Sequence, residues 1–567
     1  MIRCSKRVGL FLFLFLSLLL LAPPSQAQSL SQTDSSIRAE RERLPTNRSP
    51  LLGVVWQPPE ARGPALRQLN RIHATGATAV RLTRLPAADT LFSRADTLGL
   101  RLFIDLPVSA VSAGALRDSL QQARPALNRL RTLAQRHASV QYVGLARHAD
   151  TTVPSACSVL DTWTSRLHDA PDALRTYYVT PFPASADQCA DAVDLTLIDT
   201  RSHANPIERW QTWTTDTTKI GLGTLGTWVH PDAPSGLRVP HSAERQARYL
   251  ERTFSDLLSA DSAAPIVVFV YRWQDRAAPL ANRRYGLHDA SGTRRPAANV
   301  VEGIYTDTQH VFAFPSGTAP STSPHGALLF GWGLIGLLAL LYAQSPFVRQ
   351  TAFRYFAAHG FYRDAVRKGR DVSPVINTVL LLLAAAAFSV MVVLLTRLAA
   401  TAPSTEHALA ALPQALRAPL AAGLTHPGLT GAIVGGSCLL LLIGWTLLLV
   451  LAARRNTSFS LSQGFMLVTW PCWPVLIGLL IALVMSTQPP VSRRVLGFIL
   501  LVGGTATILA ITTRVLRDYR QAAGVSVPIV MGLSLFSPLV LLFAGGAALV
   551  TKYDLPLSFL WTLLTQT

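Results

Sequence analysis

Acidic residues are scarce in this sequence and are absent from its longest apolar runs. The 567-residue chain has 32 Asp and Glu against 51 Lys and Arg, and its net charge is +19. The surplus is uneven, because 16 basic and only 5 acidic residues lie from Ala327 onward. Basic residues between apolar segments are typical of membrane topology, whereas nucleic-acid binding requires a basic face on a soluble domain. The charge pattern therefore argues against a nucleic-acid partner.

Cysteine is also rare, with five residues, and no metal-ligand spacing occurs. We therefore expect no metal and no cofactor. Cys4 lies in a predicted signal peptide, and Cys438 and Cys472 lie in apolar segments. The remaining two, Cys157 and Cys189, lie in a segment that we expect to be exported, where an oxidising compartment permits a disulfide. A bond between them and two separately buried thiols both remain open.

The N-terminus has the pattern of a secretory signal. Arg3, Lys6 and Arg7 precede an apolar stretch, Leu10–Leu21, and a small-x-small cleavage site follows at residues 25–27. We expect residues 1–27 to be cleaved; an uncleaved anchor is the alternative and leaves the following domain on the same side. Residues 28–50 are polar and lack apolar periodicity, which predicts a linker.

Short apolar runs then alternate with amphipathic stretches as far as Tyr305. The predicted strands are Leu51–Trp56, Thr78–Arg84, Arg101–Pro107, Val140–His148, Arg175–Pro181, Ala192–Thr200, Lys219–Leu225 and Pro265–Trp273. Between the third and fourth strands, leucines at helical spacing predict one long helix, Ala113–His137. Strands that alternate with helices predict parallel βα units, and eight units in about 250 residues match a closed (β/α)8 barrel. We assign residues 51–308 to an α/β TIM barrel and residues 309–326, which are rich in Pro, Ser, Thr and Gly, to a linker.

Six apolar segments of spanning length follow and predict an all-α transmembrane domain over residues 327–567. They are Ala327–Ala343, Val375–Leu395, Gly431–Ala453, Gly464–Ser486, Val495–Ile511 and Pro528–Val550. Under strict alternation, one side receives most of the loop charge: the basic residues of Gln344–Arg370, then Arg454, Arg455, Arg514, Arg517 and Arg520. The other side receives Arg397, Arg417, Arg493, Arg494 and Lys552. Since basic loops stay in the cytoplasm, we predict a multi-pass inner-membrane protein with its barrel outside.

The first of these basic loops interleaves charge with aromatic residues. Its basic residues are Arg349, Arg354, Arg363, Arg367, Lys368 and Arg370. An interfacial helix on anionic lipid headgroups and an ordinary cytoplasmic loop with an aromatic belt both explain this pattern. No predicted span contains an acidic residue, so the sequence gives no sign of a proton or ion pathway. The spans weakly resemble Yip1-type membrane domains.

Four phrases of the predicted barrel resemble family 2 glycoside hydrolases. YGLHDASGTRRPAANV (Tyr285–Val300) resembles the signature that closes the family's barrel, and Val268–Arg276 resembles its eighth strand. Gly76–Ala87 and Ala95–Pro107 resemble its second- and third-strand phrases. The resemblance implies a sugar pocket at the carboxyl ends of the strands, with two carboxylates about 5 Å apart as acid/base and nucleophile.

The sequence departs from the family at both chemical positions. Where the family's acid/base glutamate ends strand four, this chain has His148, and where the nucleophile ends strand seven, it has Thr224. Three other acids near strand ends are candidates for displaced catalytic groups: Asp105, Asp199 and Asp275. The predicted ligand-binding residues are Trp56, Arg81, Arg84, Asp105, His148, Asp199, Trp228, Tyr271, Trp273 and Asp275. Core packing for the tryptophans, and an Arg81–Asp105 ion pair, are the plainer interpretations.

Three functions follow from these observations. The first is a catalytically inactive, membrane-anchored barrel that binds, senses or scaffolds a carbohydrate. The second is an active glycoside hydrolase that uses displaced carboxylates. The third is a transport or assembly protein whose function lies in its spans, with the barrel as an extracytoplasmic module. A pair of carboxyls in the barrel mouth favours the enzyme, an open aromatic mouth favours binding, and a plugged mouth favours the third function.

Overall fold

The computed structural model describes residues 50–566 apart from 109–110, 169–173, 214–218, 259–263, 277–279, 281, 320–325, 403, 455–458, 489 and 554. The predicted signal peptide, with Cys4, and the polar linker before Pro50 lie outside these residues. The described chain forms two compact units. One contains the N-terminal barrel, Glu406–Ala411 and the stretch that begins at Pro556, and the other contains the remaining helices of the C-terminal half.

Eight parallel strands close into a barrel in chain order. The strands are β1 (Leu51–Trp56), β2 (Ala79–Leu82), β3 (Arg101–Asp105), β4 (Val140–Ala146), β5 (Arg175–Thr180), β6 (Leu195–Asp199), β7 (Ile220–Leu225) and β8 (Val267–Tyr271). Closure is made by β1 against β8, in a register that pairs Leu51 with Val267. The barrel predicted from the alternating pattern is therefore confirmed.

Aromatic and branched side chains fill the barrel interior. The Phe103 and Tyr142 rings stack at 4.0 Å, and the edge of Phe269 meets Phe103 at 4.9 Å. Small residues give these rings their space: a Cβ on Gly144 would lie 2.8 Å from both the Asp105 carboxylate and the Tyr177 ring. The interior is thus a packed core, and only the ends of the strands offer room for chemistry.

The barrel helices surround the strands and bury their apolar faces against them. They are Arg62–Ala74, Thr90–Thr97, Ala113–Gln122, Arg124–Arg136, Pro154–His168, Pro206–Gln211, Ala243–Leu258 and Pro296–Tyr305. The prediction of one helix over Ala113–His137 is wrong, since two helices meet at Ala123. Pro125 lies in the first turn of the second helix, where its missing N–H costs nothing, and inside a continuous helix it would remove a hydrogen bond.

The described part of the predicted linker is held against the barrel. Phe312 is buried, and its N–H donates to the Glu251 carboxylate at 3.1 Å. The N–H groups of Leu237 and Arg238 donate to the carbonyls of Pro315 and Ser316. These contacts order the chain as far as residue 316, although its composition is that of a linker.

Cys157 and Cys189 are bonded to each other, with an S–S distance of 2.04 Å. The bond ties the helix Pro154–His168 to the segment before β6 across a sequence separation of 32. Of the two interpretations left open by the sequence, the structure shows the disulfide.

The C-terminal half is helical. Its helices are Gly326–Gln344, Pro346–Phe356, His359–Lys368, Pro374–Thr401, Ser404–Ala411, Gln414–Thr425, Pro427–Ala453, Leu461–Thr469, Pro474–Met485, Pro490–Ala523, Val527–Leu535, Pro538–Tyr553 and Leu557–Gln566. Four helical segments are long and apolar enough to cross a membrane: Gly326–Gln344, Pro374–Thr401, Pro427–Ala453 and Leu461–Met485. A fifth arises if Val527–Leu535 and Val540–Tyr553, bent by 46°, count as one span. The remaining predicted span, Val495–Ile511, lies within the helix Pro490–Ala523 and stays a prediction.

The aromatic residues of the basic stretch Gln344–Arg370 divide between two environments. Tyr355 and Tyr362 are buried among neighbouring helices, and the Tyr362 hydroxyl donates to the Met466 carbonyl at 2.9 Å. Phe353, Phe356 and Phe361 are exposed. Contact with lipid headgroups therefore stays a prediction for Phe353, Phe356 and Phe361. It does not apply to Tyr355 and Tyr362, because these side chains are buried.

Removal of the disulfide is expected to destabilise the barrel. The change Cys157→Ser frees a loop of 32 residues, for which chain entropy predicts a loss of about 3–4 kcal/mol in the free energy of unfolding. Denaturant unfolding of the full-length protein, followed by tryptophan fluorescence, measures the loss. Cys438→Ser, at a free cysteine, is the matched control. Equal stability of the two variants would contradict the expectation.

Candidate functional site

We define the barrel mouth as the carboxyl ends of β1–β8 and the loops that follow them. A buried ion pair lies at its floor. Arg81 of β2 donates to both carboxylate oxygens of Asp105 of β3, at 3.1 and 2.9 Å, and to the Gly223 carbonyl at 3.1 Å. The Tyr177 hydroxyl also donates to Asp105, at 2.7 Å. Burial opposes the charge of Arg81, but Asp105 outweighs this effect and raises the pKa of Arg81. The plainer interpretation of these two residues, an ion pair, is what the structure shows.

The second acid, Asp199 at the end of β6, is held in the same way. Arg201, two residues later, donates to both of its oxygens, and its Nη2 approaches to 2.7 Å. The Thr224 hydroxyl of the neighbouring strand β7 also donates to Asp199. Burial alone would raise the pKa of Asp199, but Arg201 outweighs it and keeps this pKa far below its usual range. Asp199 is therefore ionised and fully engaged.

The third acid, Asp275, lies after β8 and braces the closing signature. Arg295 forms an ion pair with one of its oxygens, and the backbone N–H of Gly286 donates to the other at 2.7 Å. Asp275 is buried. Through these contacts, Asp275 holds part of the family-like segment Tyr285–Val300 against the end of β8.

The two positions that would hold glutamates in the family lie where the sequence places them. Thr224 is on β7 and serves as a donor to Asp199. His148 follows β4 and is half-buried. Burial, reinforced by His407, Arg201 and Arg147, lowers the pKa of His148 well below its usual value. His148 is therefore neutral at physiological pH, and its Nδ1 has no hydrogen-bond partner among the described residues.

The aromatic candidates separate into core residues and residues of the mouth. Trp56 is buried and its Nε1 donates to Gln68 at 2.8 Å, and Trp273 is buried against His288. Tyr271 and Trp228 instead face arginines of the mouth. The Arg201 guanidinium lies 4.8 Å from the Tyr271 ring centre, and that of Arg283 lies 5.1 Å from the Trp228 ring.

Arg84 lies apart from these groups. Its guanidinium pairs with Glu60 at 3.2 Å and donates to the Pro58 carbonyl at 3.0 Å, on the outer rim. Both side chains are exposed. The structure thus does not bring Arg84 to the other predicted ligand-binding residues.

Glu406 and His407, which sequence analysis did not select, enter this mouth from the C-terminal half of the chain. Both are almost fully buried, at 5% and 2% exposure. Glu406 pairs with Arg283 at 3.3 Å and with Arg201 at 3.9 Å. His407 Nδ1 lies 3.7 Å from Asp199 and 3.5 Å from Arg201 Nη2. Burial is the main cause that lowers the pKa of His407 to about 4.

A sequence signal for this contact does exist. Glu406 is the only acidic residue between Asp371 and Asp518. A single acid in so long an apolar region indicates a specific partner, but the partner cannot be identified from local pattern because Arg201 and Arg283 lie more than a hundred residues away.

The stretch that begins at Pro556 also contacts the mouth. Phe559 is buried and meets Phe182, after β5, edge to face at 5.3 Å. The Ser558 hydroxyl donates to Asp150, after β4, at 3.2 Å. Asp150 is the nearest acid to the family's acid/base position, and this contact covers it.

One further acid near the mouth has a raised pKa. Burial raises the pKa of Asp187, in the loop after β5, although four donors, Thr180 and three others, oppose the shift. The other three are the hydroxyls of Thr151 and Tyr178, at 2.6 and 2.7 Å, and the Cys189 N–H at 2.9 Å. Asp187 thus links the loops after β4 and β5 next to the disulfide. Among the described residues, no group of three or more His, Cys, Asp or Glu side chains is arranged to hold a metal ion.

The chain is similar to solved glycosidase structures over its barrel. A family 2 β-galacturonidase from Eisenbergiella tayi shares 15% identity at a TM-score of 0.40, over 46% of this chain and 51% of that one. A β-glucuronidase from an uncultured Clostridium shares 13% identity at a TM-score of 0.39, over 46% of this chain and 50% of that one. A β-glucuronidase from Dictyoglomus thermophilum shares 13% identity at a TM-score of 0.38, over 46% of this chain and 51% of that one. The chain thus spans about half the length of these structures.

No protein-family model matches the sequence, and no curated protein matches it. The TIM-barrel fold is established by the strand topology.

Taken together, each displaced carboxylate is buried and paired with an arginine: Asp105 with Arg81, Asp199 with Arg201, and Asp275 with Arg295. A general acid needs a raised pKa, and a nucleophile needs an oxygen free to attack. Arg201, with His407 and Thr224, keeps the pKa of Asp199 low, and arginines occupy oxygens of all three carboxylates. These three described ion pairs can orient and neutralise negative charge at the strand ends.

Loss of the floor ion pair is expected to be costly. Arg81→Met removes the bidentate partner of the buried Asp105, which keeps Arg147 at 3.6 Å and the Tyr177 hydroxyl, and should reduce the free energy of unfolding by about 3 kcal/mol. The double variant Arg81→Met/Asp105→Leu should recover most of that loss. Arg84→Met, which breaks the pair with Glu60 and the hydrogen bond to the Pro58 carbonyl on the outer rim, should cost less than about 1 kcal/mol. Equal effects of Arg81→Met and Arg84→Met in denaturant unfolding would contradict this account.

Proposed function

We propose that this protein is a membrane-anchored, non-hydrolytic glycosidase-like barrel that binds an extracytoplasmic carbohydrate at its mouth. One observation carries the proposal: each acid that would replace the missing glutamates is held by an arginine. The mouth retains the other properties of a binding site. Arginine and aromatic side chains meet there at the carboxyl ends of parallel strands, where TIM barrels bind their ligands.

Hydrolysis would require at least two of these ion pairs to open. In a retaining mechanism one carboxyl attacks the sugar while the other donates a proton to the leaving oxygen. Asp199 is unsuited to donate, because Arg201 keeps its pKa far below the usual range. Asp105 is unsuited to attack, because Arg81 and Tyr177 occupy both of its oxygens.

A second candidate function is supported by the occupied mouth. Glu406 and His407 lie where a ligand would enter. A barrel that is permanently closed in this way would act as an assembly module for the helical half, with no carbohydrate ligand. The two candidate functions differ in one property: whether the segment that contains Glu406 and His407 can leave the mouth.

The membrane placement belongs to the same proposal. Four or five helical segments have the length and composition of spans, and the predicted sixth lies in Pro490–Ala523. With six spans, the basic loops place the barrel outside the inner membrane. The disulfide between Cys157 and Cys189 supports an oxidising compartment for the barrel, because such bonds are rare in the cytosol.

The proposal predicts that the full-length protein in detergent releases no reducing ends from neutral, acidic or amino-sugar polymers. The physical reason is the absence of an unpaired carboxyl pair. The assay is run on the native chain, on Asp105→Ala, Asp199→Ala and Asp275→Ala, and on Asp289→Ala, a half-buried acid in the loop after β8, as the control. Release that is lost in one of the first three variants but retained in Asp289→Ala would show an active hydrolase with displaced acids.

A further inference from the structure

Glu406 is a buried carboxylate that forms ion pairs with two arginines of the mouth. Its two oxygens face two different arginines, Arg283 at 3.3 Å and Arg201 at 3.9 Å. All three side chains are shielded from solvent, and Arg283 is only 1% exposed. Elsewhere in the mouth the paired carboxylate and arginine both come from the barrel itself, whereas this carboxylate comes from a separate segment more than a hundred residues away.

The charge balance of the mouth depends on that carboxylate. Arg201 is shared between Asp199 and Glu406, and Glu406 adds the second negative charge that the pair Arg201 and Arg283 requires. A buried guanidinium without a counter-charge is strongly unfavourable. If Glu406 leaves, a carboxylate or another anion that takes its place restores the negative charge between Arg201 and Arg283. The mouth therefore selects for negative charge in whatever replaces the segment.

The two arginines are pre-positioned for such an exchange. Tyr271 lies against the guanidinium of Arg201, and Trp228 lies against that of Arg283. Tyr285 supports Tyr271 edge to face at 5.4 Å and shares a hydrogen bond with Ser202. Aromatic faces hold a guanidinium plane while leaving its N–H groups available to an anion. The barrel thus supplies the orientation, and the segment supplies the carboxylate and the neighbouring imidazole.

The chain connection of the segment gives its displacement a consequence. Glu406–Ala411 lies between Pro374–Thr401 and Pro427–Ala453, two helices long enough to cross a membrane. A ligand that binds the mouth only when the segment has left shifts the equilibrium between the two positions of the segment.

We propose that Glu406 is an intramolecular stand-in for a ligand carboxylate, and that a carboxylate-bearing saccharide competes with the Glu406–Ala411 segment for Arg201 and Arg283. The proposal rests on the proposed binding function, because it uses the same mouth. It adds the chemical class of the ligand, an acidic sugar, and a regulatory step, release of the chain's own segment.

The test measures binding of tetragalacturonate to the full-length protein in nanodiscs by calorimetry. Glu406→Gln weakens the internal competitor and should bind the probe at least about tenfold more tightly than the native chain, since coupling of this kind is typically 5- to 150-fold. Arg283→Met in the Glu406→Gln background should abolish binding. Glu60→Gln, which breaks an exposed arginine pair in the same barrel, should bind as the native chain does.

Two further probes separate the alternatives. The methyl ester of tetragalacturonate has the same sugar rings without charge and should not bind. A synthetic peptide with the sequence of Ser404–Ala411 competes for the site as a chain segment. If Glu406→Gln binds this peptide but no saccharide, the saccharide class is overturned. Equal binding of the ester and the acid would overturn the carboxylate site while leaving the proposed carbohydrate function standing, and absence of binding to every saccharide would overturn both.

A second measurement does not depend on the Glu406 variant. Ala408 lies in the segment and is fully buried, so Ala408→Cys in a Cys438→Ser background should react slowly with a maleimide. Saturating tetragalacturonate should increase the labelling rate by about tenfold or more, because exposure requires release of the segment. An unchanged rate in the presence of bound probe would overturn the competition.

Discussion

Buried arginine–carboxylate pairing is the interaction on which the mouth of this barrel depends. Three such pairs are internal to the barrel, and a fourth joins Arg201 and Arg283 to Glu406. Each pair is desolvated, so removal of one partner leaves a charge that the interior cannot solvate. The same pairs that hold the strand ends together also keep the acids from acting as nucleophile or proton donor.

The mouth is also the place where distant parts of the chain meet. Glu406 and His407 fill its centre, and Phe559 and Ser558 pack near the ends of β4 and β5. A family-like pocket that accepts a free ligand would keep this region open. Here its own chain supplies a carboxylate, an imidazole and an aromatic ring. The mouth of this barrel is therefore occupied by side chains of its own chain.

Much of the fold follows from the sequence because it depends on local pattern. All eight strands lie within the predicted ranges, since short apolar runs between amphipathic stretches require only a buried parallel sheet. The leucine spacing predicts one continuous helix across Pro125, whereas proline chemistry predicts the observed break near this residue. The pair Asp199–Arg201 is local, two residues apart, and could have been foreseen. The contacts of Glu406 could not, because no local signal identifies a partner so far along the chain.

The most direct test of the account is a double-mutant cycle between Arg283 and Glu406. The free energy of unfolding is measured for the native chain, Arg283→Met, Glu406→Gln and the double variant. The account predicts a coupling free energy of about 1–3 kcal/mol, because each single change leaves a buried charge that the double change removes. Additive effects, within about 0.5 kcal/mol, would show that Glu406 does not occupy the arginine site and would contradict the central claim.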